Sequence, residues 1–184
     1  MPKMPIMSGY SHRLKILHWV MAVLLLGMLI TGFLTPQLSD MSTIKWVIRD
    51  AHESFGLLLI PLVFLRVWHR LTSSIPHWKN YPNTFASATS RFVHALFYLL
   101  MFALPISGYL TSHPYGIRFF GIYLVNYLPD GTSEILFMTG DADFELAGIA
   151  SGYHKALAVL FGVLVVIHMI GAFKSATGSK VASV

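Results

Sequence analysis

The chain has 184 residues, of which 55% are hydrophobic and only 11% charged. Soluble globular chains carry about 25% charged residues, so the deficit points to a surface that faces lipid. There is no cysteine, which excludes disulfides, thiolate metal sites, iron–sulfur clusters and covalent c-type haem. A formal net charge of +5 would suit nucleic acid, but the charges are sorted along the chain in a way that argues against that class.

Four long apolar stretches follow one another: 14–34, 51–68, 92–111 and 153–173. Each is near the roughly 20 residues that cross about 30 Å of hydrocarbon. The first has Lys3, Arg13 and Lys15 before or at its start, as a signal peptide would. Its apolar run is too long for one, however, and no small-x-small cleavage pattern follows, so it reads as a retained anchor. The second is the least clean, with Glu53 and Arg66 near its ends, and a buried soluble-core helix is the competing reading for it alone. The 112–152 connection is long enough to suggest a function. It carries apolar and aromatic patches, RFFGIYLVNYL and EILFM, suited to lying on the membrane surface or capping a bundle. No internal repeat, low-complexity tract or second domain is evident, so residues 1–184 read as one all-α transmembrane four-helix bundle, up-down-up-down.

Charge sets the orientation. With both termini on one side, that side holds Lys3, Arg13, Lys15, Arg66, Arg70, Lys79, Arg91, Lys174 and Lys180 and no acid. The other side holds Lys45, Arg49, Arg118 and Lys155 with all eight acids. Lys and Arg collect on the cytoplasmic face. Both termini are therefore expected in the cytoplasm, and the 35–50 and 112–152 loops in the periplasm of a bacterial inner membrane.

Ionisable side chains inside a span are costly and usually mark function. His18 lies near the cytoplasmic start of span one and His94 near that of span three, whereas His52 and His154 open spans two and four from the periplasm. His168 follows His154 by 14 residues, about 21 Å along the axis and close to four full turns, so span four presents two imidazoles on one face. His12, His69, His77 and His113 read as interfacial or solvated side chains. Paired axial histidines on facing helices are what a low-spin b-type haem requires, and bundle cores hold such cofactors. The outer pair is His52 with His154; the inner is His168 with either His18 or His94. The competing reading is interhelical hydrogen bonding.

Glycines repeat the spacing. Gly32 follows His18 by 14 residues and Gly108 follows His94 by 14, so both lie at the outer level, where a porphyrin held by spans two and four would press on spans one and three. Gly56 follows His52 by four residues, and Gly162 lies between the histidines of span four. Glycine removes the side chain that would collide, although it is frequent in membrane helices in any case. Arg66 follows His52 by 14 residues and is suited, like Arg70 or Arg91, to clamp an inner haem propionate; a cytoplasmic anchor is the plainer reading.

The segments LHWVMA, DAHESFG, HALFYLLMFALPISGYL, YHKALA and VIHMIGA resemble the bacterial di-haem cytochrome b561 family. That family is similar in kind to the b subunits that anchor formate dehydrogenases and nickel–iron hydrogenases. The resemblance covers most of the chain. It implies two haems b held between helices one, two and four, with His52–His154 on the outer iron and His18–His168 on the inner one. His94 would then lie near the cytoplasmic haem, where relatives handle quinone, and could exchange a proton there.

One branch of the family resembles superoxide oxidase, which passes an electron from periplasmic superoxide to ubiquinone. Lys155 and Arg118, with Lys45 and Arg49, are the side chains able to draw an anion to the outer haem, against a local excess of acids. Two other classes compete: a haem-bearing anchor subunit of a separate dehydrogenase with no substrate site of its own, and a transporter using the histidines for iron, copper or zinc.

Overall fold

The computed structural model describes residues 12–72, 85–127, 133–135 and 143–181. Lys3, His77, Lys79, Asp130 and Asp141, used above in the charge and histidine readings, lie outside them, as does the 136–138 part of EILFM. Four helices carry the chain: α1 (His12–Leu34), α2 (Thr43–Thr72), α3 (Phe85–Ser112) and α4 (Phe144–Val181). All four are long and apolar enough to cross a membrane, as expected, and the fold class is all-α.

The helices outrun the apolar stretches that announced them. α2 begins at Thr43 rather than 51, and α4 at Phe144 rather than 153. Hydropathy marks only the part of a helix that lies in lipid, whereas the i→i−4 ladder continues wherever capping and side-chain pairs support it. Asp143 caps α4 by accepting the Leu146 N–H at 2.8 Å, which satisfies one of the first-turn donors. Arg49 Nε donates to Glu53 at 2.9 Å, an i,i+4 pair on the added turns of α2. His52 and His154 are thus set inside their helices rather than at the first turn. In the first turn of α2, Lys45 pairs with Asp40 ahead of the helix, and this cation holds the Asp40 carboxyl below the usual carboxylate range. A depressed carboxyl contributes stability above its ordinary pKa and loses it as pH falls through the lowered one.

The described chain divides into two compact units. In the first, α1 packs on α2, and Leu14, Leu17 and Met21 of α1 and Leu59 and Val63 of α2 are buried. Spacings of three and four residues place these on one helical stripe. The other faces of α1 expose Trp19, Val23 and Ile30, apolar surface that suits lipid. Pro61 sits inside α2, which membrane helices tolerate.

Residues 118–122 belong to this unit and carry a tight turn between β1 (Ile117–Phe119) and β2 (Ile122–Tyr127). Phe120 and Gly121 have φ of 48° and 84°, the paired positive values of a two-residue hairpin turn. Glycine adopts this freely, but for Phe120 it is strained. α2 holds the strained residue in place. The Phe120 N–H donates to the fully buried Ser54 Oγ at 2.8 Å, and its ring meets Phe55 edge-on at 5.2 Å. Ser54→Ala removes that acceptor and is expected to cost about 1 kcal/mol, read as faster amide exchange at Phe120 and a lower melting temperature in detergent.

The second unit is built on α3 and α4. Phe97 of α3 packs edge-to-face on Phe161 of α4 at 5.5 Å, and Leu100, Met101, Phe161 and Leu164 are buried. Pro105 lies inside α3. Between the two helices the chain forms a small sheet of strand order β1-β2-β3, with β3 at Ser133–Ile135. β2 and β3 are antiparallel, with Val125 opposite Ile135 and Tyr127 opposite Ser133. The apolar loop pattern RFFGIYLVNYL therefore folds in large part as strand.

Candidate functional site

In the α1–α2 pair, His52 lies against the α1 backbone at Gly32. A Cβ added to Gly32 would sit 3.1 Å from the His52 Cε1, tighter than ordinary contact, so the ring occupies the space the missing side chain leaves. The neighbouring Thr31 completes the seat. Its hydroxyl donates to the Gly27 carbonyl at 2.8 Å, and its Oγ1 lies 2.9 Å from the His52 Nδ1. With the hydroxyl proton on that carbonyl, Oγ1 accepts from the His52 Nδ1–H. The neutral ring then carries its lone pair on Nε2.

The α3–α4 pair repeats this arrangement. A Cβ on Gly108 would sit 3.2 Å from the His154 Cε1. The His154 Nδ1 lies 3.0 Å from the Ser107 Oγ and 3.0 Å from the Leu104 carbonyl. A carbonyl only accepts, so Nδ1 carries the proton here too and the lone pair falls on Nε2. Gly108 is what allows the ring to reach that carbonyl. The expectation that Gly32 and Gly108 lie level with the outer histidines holds within each unit. Their immediate neighbours among the described side chains are the imidazoles. Gly56 is less constrained, since a Cβ there meets only the flexible Met28 Cε at 3.4 Å, and one at Gly162 meets nothing within 4 Å.

At the other end of each pair the chemistry differs. Arg66 of α2 donates from Nη2 to the His18 Nδ1 at 3.2 Å. Arginine has no acceptor, so this bond places the lone pair of His18 on Nδ1. The Arg66 Nη1 is buried without a hydrogen-bond partner, a costly arrangement unless an acceptor is supplied. In α3–α4, the rings of His94 and His168 meet edge-to-face at 5.7 Å, and Phe97 packs on His168 at 5.4 Å. His94 is exposed, whereas His18, His52, His154 and His168 are half-buried.

These donors suit a b-type haem. Imidazole nitrogen is its usual axial ligand, and a ring held through Nδ1–H by an oxygen is oriented to ligate through Nε2. His52 and His154 meet this condition as they stand. For His18 the hydrogen bond from Arg66 must first pass to another acceptor; a propionate carboxylate is one, and the buried Nη1 lacks one. Within its own unit, each of these histidines would be a ligand for such a group, and Arg66 a partner for its carboxylates.

Of the candidate anion-steering residues, Lys45 and Arg49 pair with Asp40 and Glu53. Lys155 is exposed beside His154, and Arg118 is half-buried in β1.

Thr31 and Ser107 were not anticipated from the sequence, although a signal for them exists. ITGFLT at 30–35 recurs as ISGYLT at 106–111, and each lies at the same distance from an upstream histidine, His18 or His94. The resemblance extends to hydrogen bonding, with Thr35 donating to the Thr31 carbonyl at 2.7 Å and Thr111 to the Ser107 carbonyl at 2.8 Å. Likewise, 102 residues separate His52 from His154 and Arg66 from His168. The reading of no internal repeat is thereby corrected: α1–α2 and α3–α4 carry corresponding residues at corresponding positions, and conservative Thr/Ser and Phe/Tyr exchanges mask the match.

Comparison with known proteins agrees with this chemistry. The family model described as prokaryotic cytochrome b561 matches residues 9–183. The chain is also 31% identical over 159 residues to cytochrome b561 homolog 2 of Escherichia coli (strain K12), covering 85% of this chain and 79% of that protein. Four spanning helices, with half-buried histidines on α1, α2 and α4, together with these matches, place the chain in the prokaryotic cytochrome b561 family, as a multi-pass haem b electron-transfer protein of the bacterial inner membrane.

Proposed function

We propose that the chain carries electrons from a periplasmic donor, with superoxide the leading candidate, to membrane ubiquinone. Two bound haems b would supply the one-electron path, one near each membrane surface. His52 and His154 ligate the outer iron and His18 and His168 the inner one. Both termini lie in the cytoplasm, on the Lys/Arg-rich side.

The observation that carries this reading is the matched seating of His52 and His154. Each has its Nδ1–H on an oxygen, which orients the ring to ligate through Nε2. Arg66 binds the inner haem's carboxylates, which supplies an acceptor for its buried Nη1 and releases the His18 Nδ1. His94, exposed and in ring contact with His168, is positioned to exchange a proton with bound quinone rather than to ligate iron. Lys155 and Arg118 attract the anionic substrate, and Lys45 and Arg49 pair with acids.

The test is turnover by the purified chain alone. Enzymatically generated superoxide and a short-chain ubiquinone are expected to give quinol and oxygen, with a reduced-minus-oxidised band near 560 nm, roughly where bis-histidine b haem absorbs. The excess of acids over bases on the periplasmic side favours a second reading, an anchor subunit fed by a dehydrogenase partner. Haem spectra without superoxide turnover would select it. A protein that binds metal ions but no haem would select the transporter.

A further inference from the structure

We infer that Thr31 and Ser107 are positioning residues that tune the outer haem through its axial ligands. The inference rests on the proposed His52–His154 ligation and goes beyond it. It stands on two independent helix pairs that arrive at one device. In each, a hydroxyl residue followed by glycine on one helix receives the imidazole of the next, the glycine clearing space for the ring and the oxygen taking the Nδ1–H.

A hydrogen bond from Nδ1–H to oxygen has two consequences. It fixes the tautomer, so that Nε2 offers its lone pair, and it makes that lone pair more basic. A more basic ligand donates more charge to iron and favours ferric over ferrous, which lowers the reduction potential. The inner ligand His18 has the opposite polarity, its Nδ1 receiving a bond from a cation. The outer seats thus preset the tautomer that ligates through Nε2, and the His18 seat presets the opposite one.

The two seats are not equal. The His52 Nδ1–H bonds to the Thr31 hydroxyl. The His154 Nδ1–H reaches both Ser107 and the Leu104 carbonyl, each at 3.0 Å. A main-chain carbonyl survives any side-chain substitution. Loss of the Thr31 hydroxyl should therefore be felt more than loss of the Ser107 hydroxyl.

The experiment is redox potentiometry of the purified holoprotein with Thr31→Val, Thr31→Ala, Thr31→Ser and Ser107→Ala, with haem content measured in parallel. Thr31→Val and Thr31→Ala are expected to raise the outer haem's ferrous-to-ferric ratio at fixed potential on the order of tenfold, an upward shift of about 59 mV for a one-electron couple. Thr31→Ser should restore the wild-type potential and Ser107→Ala should shift it less. Thr111→Val, which removes a hydroxyl that bonds only main chain, should leave it unchanged. An unmoved potential in both Thr31→Val and Thr31→Ala, or a shift in Thr31→Ser equal to theirs, overturns the inference while haem content stays at two. Wild-type protein without two haems instead overturns the ligation reading on which it rests.

Discussion

His52→Ala or His154→Ala is expected to halve the haem content, from two per chain to one, and the haem that remains should be the inner one. Both imidazoles are half-buried, and each is held by an oxygen on the neighbouring helix of its own unit. Alanine removes the ligand and leaves that oxygen in place, so the loss should be confined to one level. Levels 14 residues apart on α4 are separated by about 21 Å, far enough for the two sites to behave independently. His168→Ala and His18→Ala should remove the other haem, and His94→Ala should retain both. Haem extraction against protein concentration reads the stoichiometry, and the difference spectrum shows which species survives. If His18→Ala kept two haems and His94→Ala kept one, the inner ligand would be His94, whose ring already touches His168.

The second large effect is steric. Gly32→Leu and Gly108→Leu are each expected to abolish outer haem binding while the helices still form. Even a Cβ at these positions comes within 3.1 and 3.2 Å of an imidazole Cε1, so a leucine needs the space the ring occupies. The same exchange favours the helix itself by about 1 kcal/mol, because glycine is the poorer helix former. Cofactor binding and intrinsic helix stability should therefore move in opposite directions, a pattern that general destabilisation does not produce. Gly32→Ala and Gly108→Ala should be intermediate, weakening haem binding on the order of tenfold through displaced ligands. Gly56→Ala is the control, since its Cβ meets only the flexible end of Met28 at 3.4 Å. Haem content and circular dichroism of the same samples separate the two quantities.

Much of the architecture was legible in one dimension. Four apolar runs, a shortage of charge and a one-sided distribution of Lys and Arg determine a four-span membrane protein, because crossing hydrocarbon imposes a length and a composition on every span. The 14-residue interval between His154 and His168 and the matching intervals to Gly32 and Gly108 place residues at common levels, because helical rise and period are fixed by the backbone. What a period leaves open is how far each helix is rotated about its own axis against its neighbour. That rotation decides that His52 reaches the Thr31 hydroxyl, that His154 reaches Ser107 and the Leu104 carbonyl, and that Arg66 donates to His18. It is set by which side chains are buried, Leu14, Leu17, Met21, Leu59 and Val63 in one unit, and by the packing of Phe97 on Phe161 in the other. Hydrogen bonds between side chains 21, 47 or 48 residues apart leave no local trace in a sequence. The levels of the histidines were thus written in the chain, and the tautomers of His18, His52 and His154 were decided only by their tertiary neighbours.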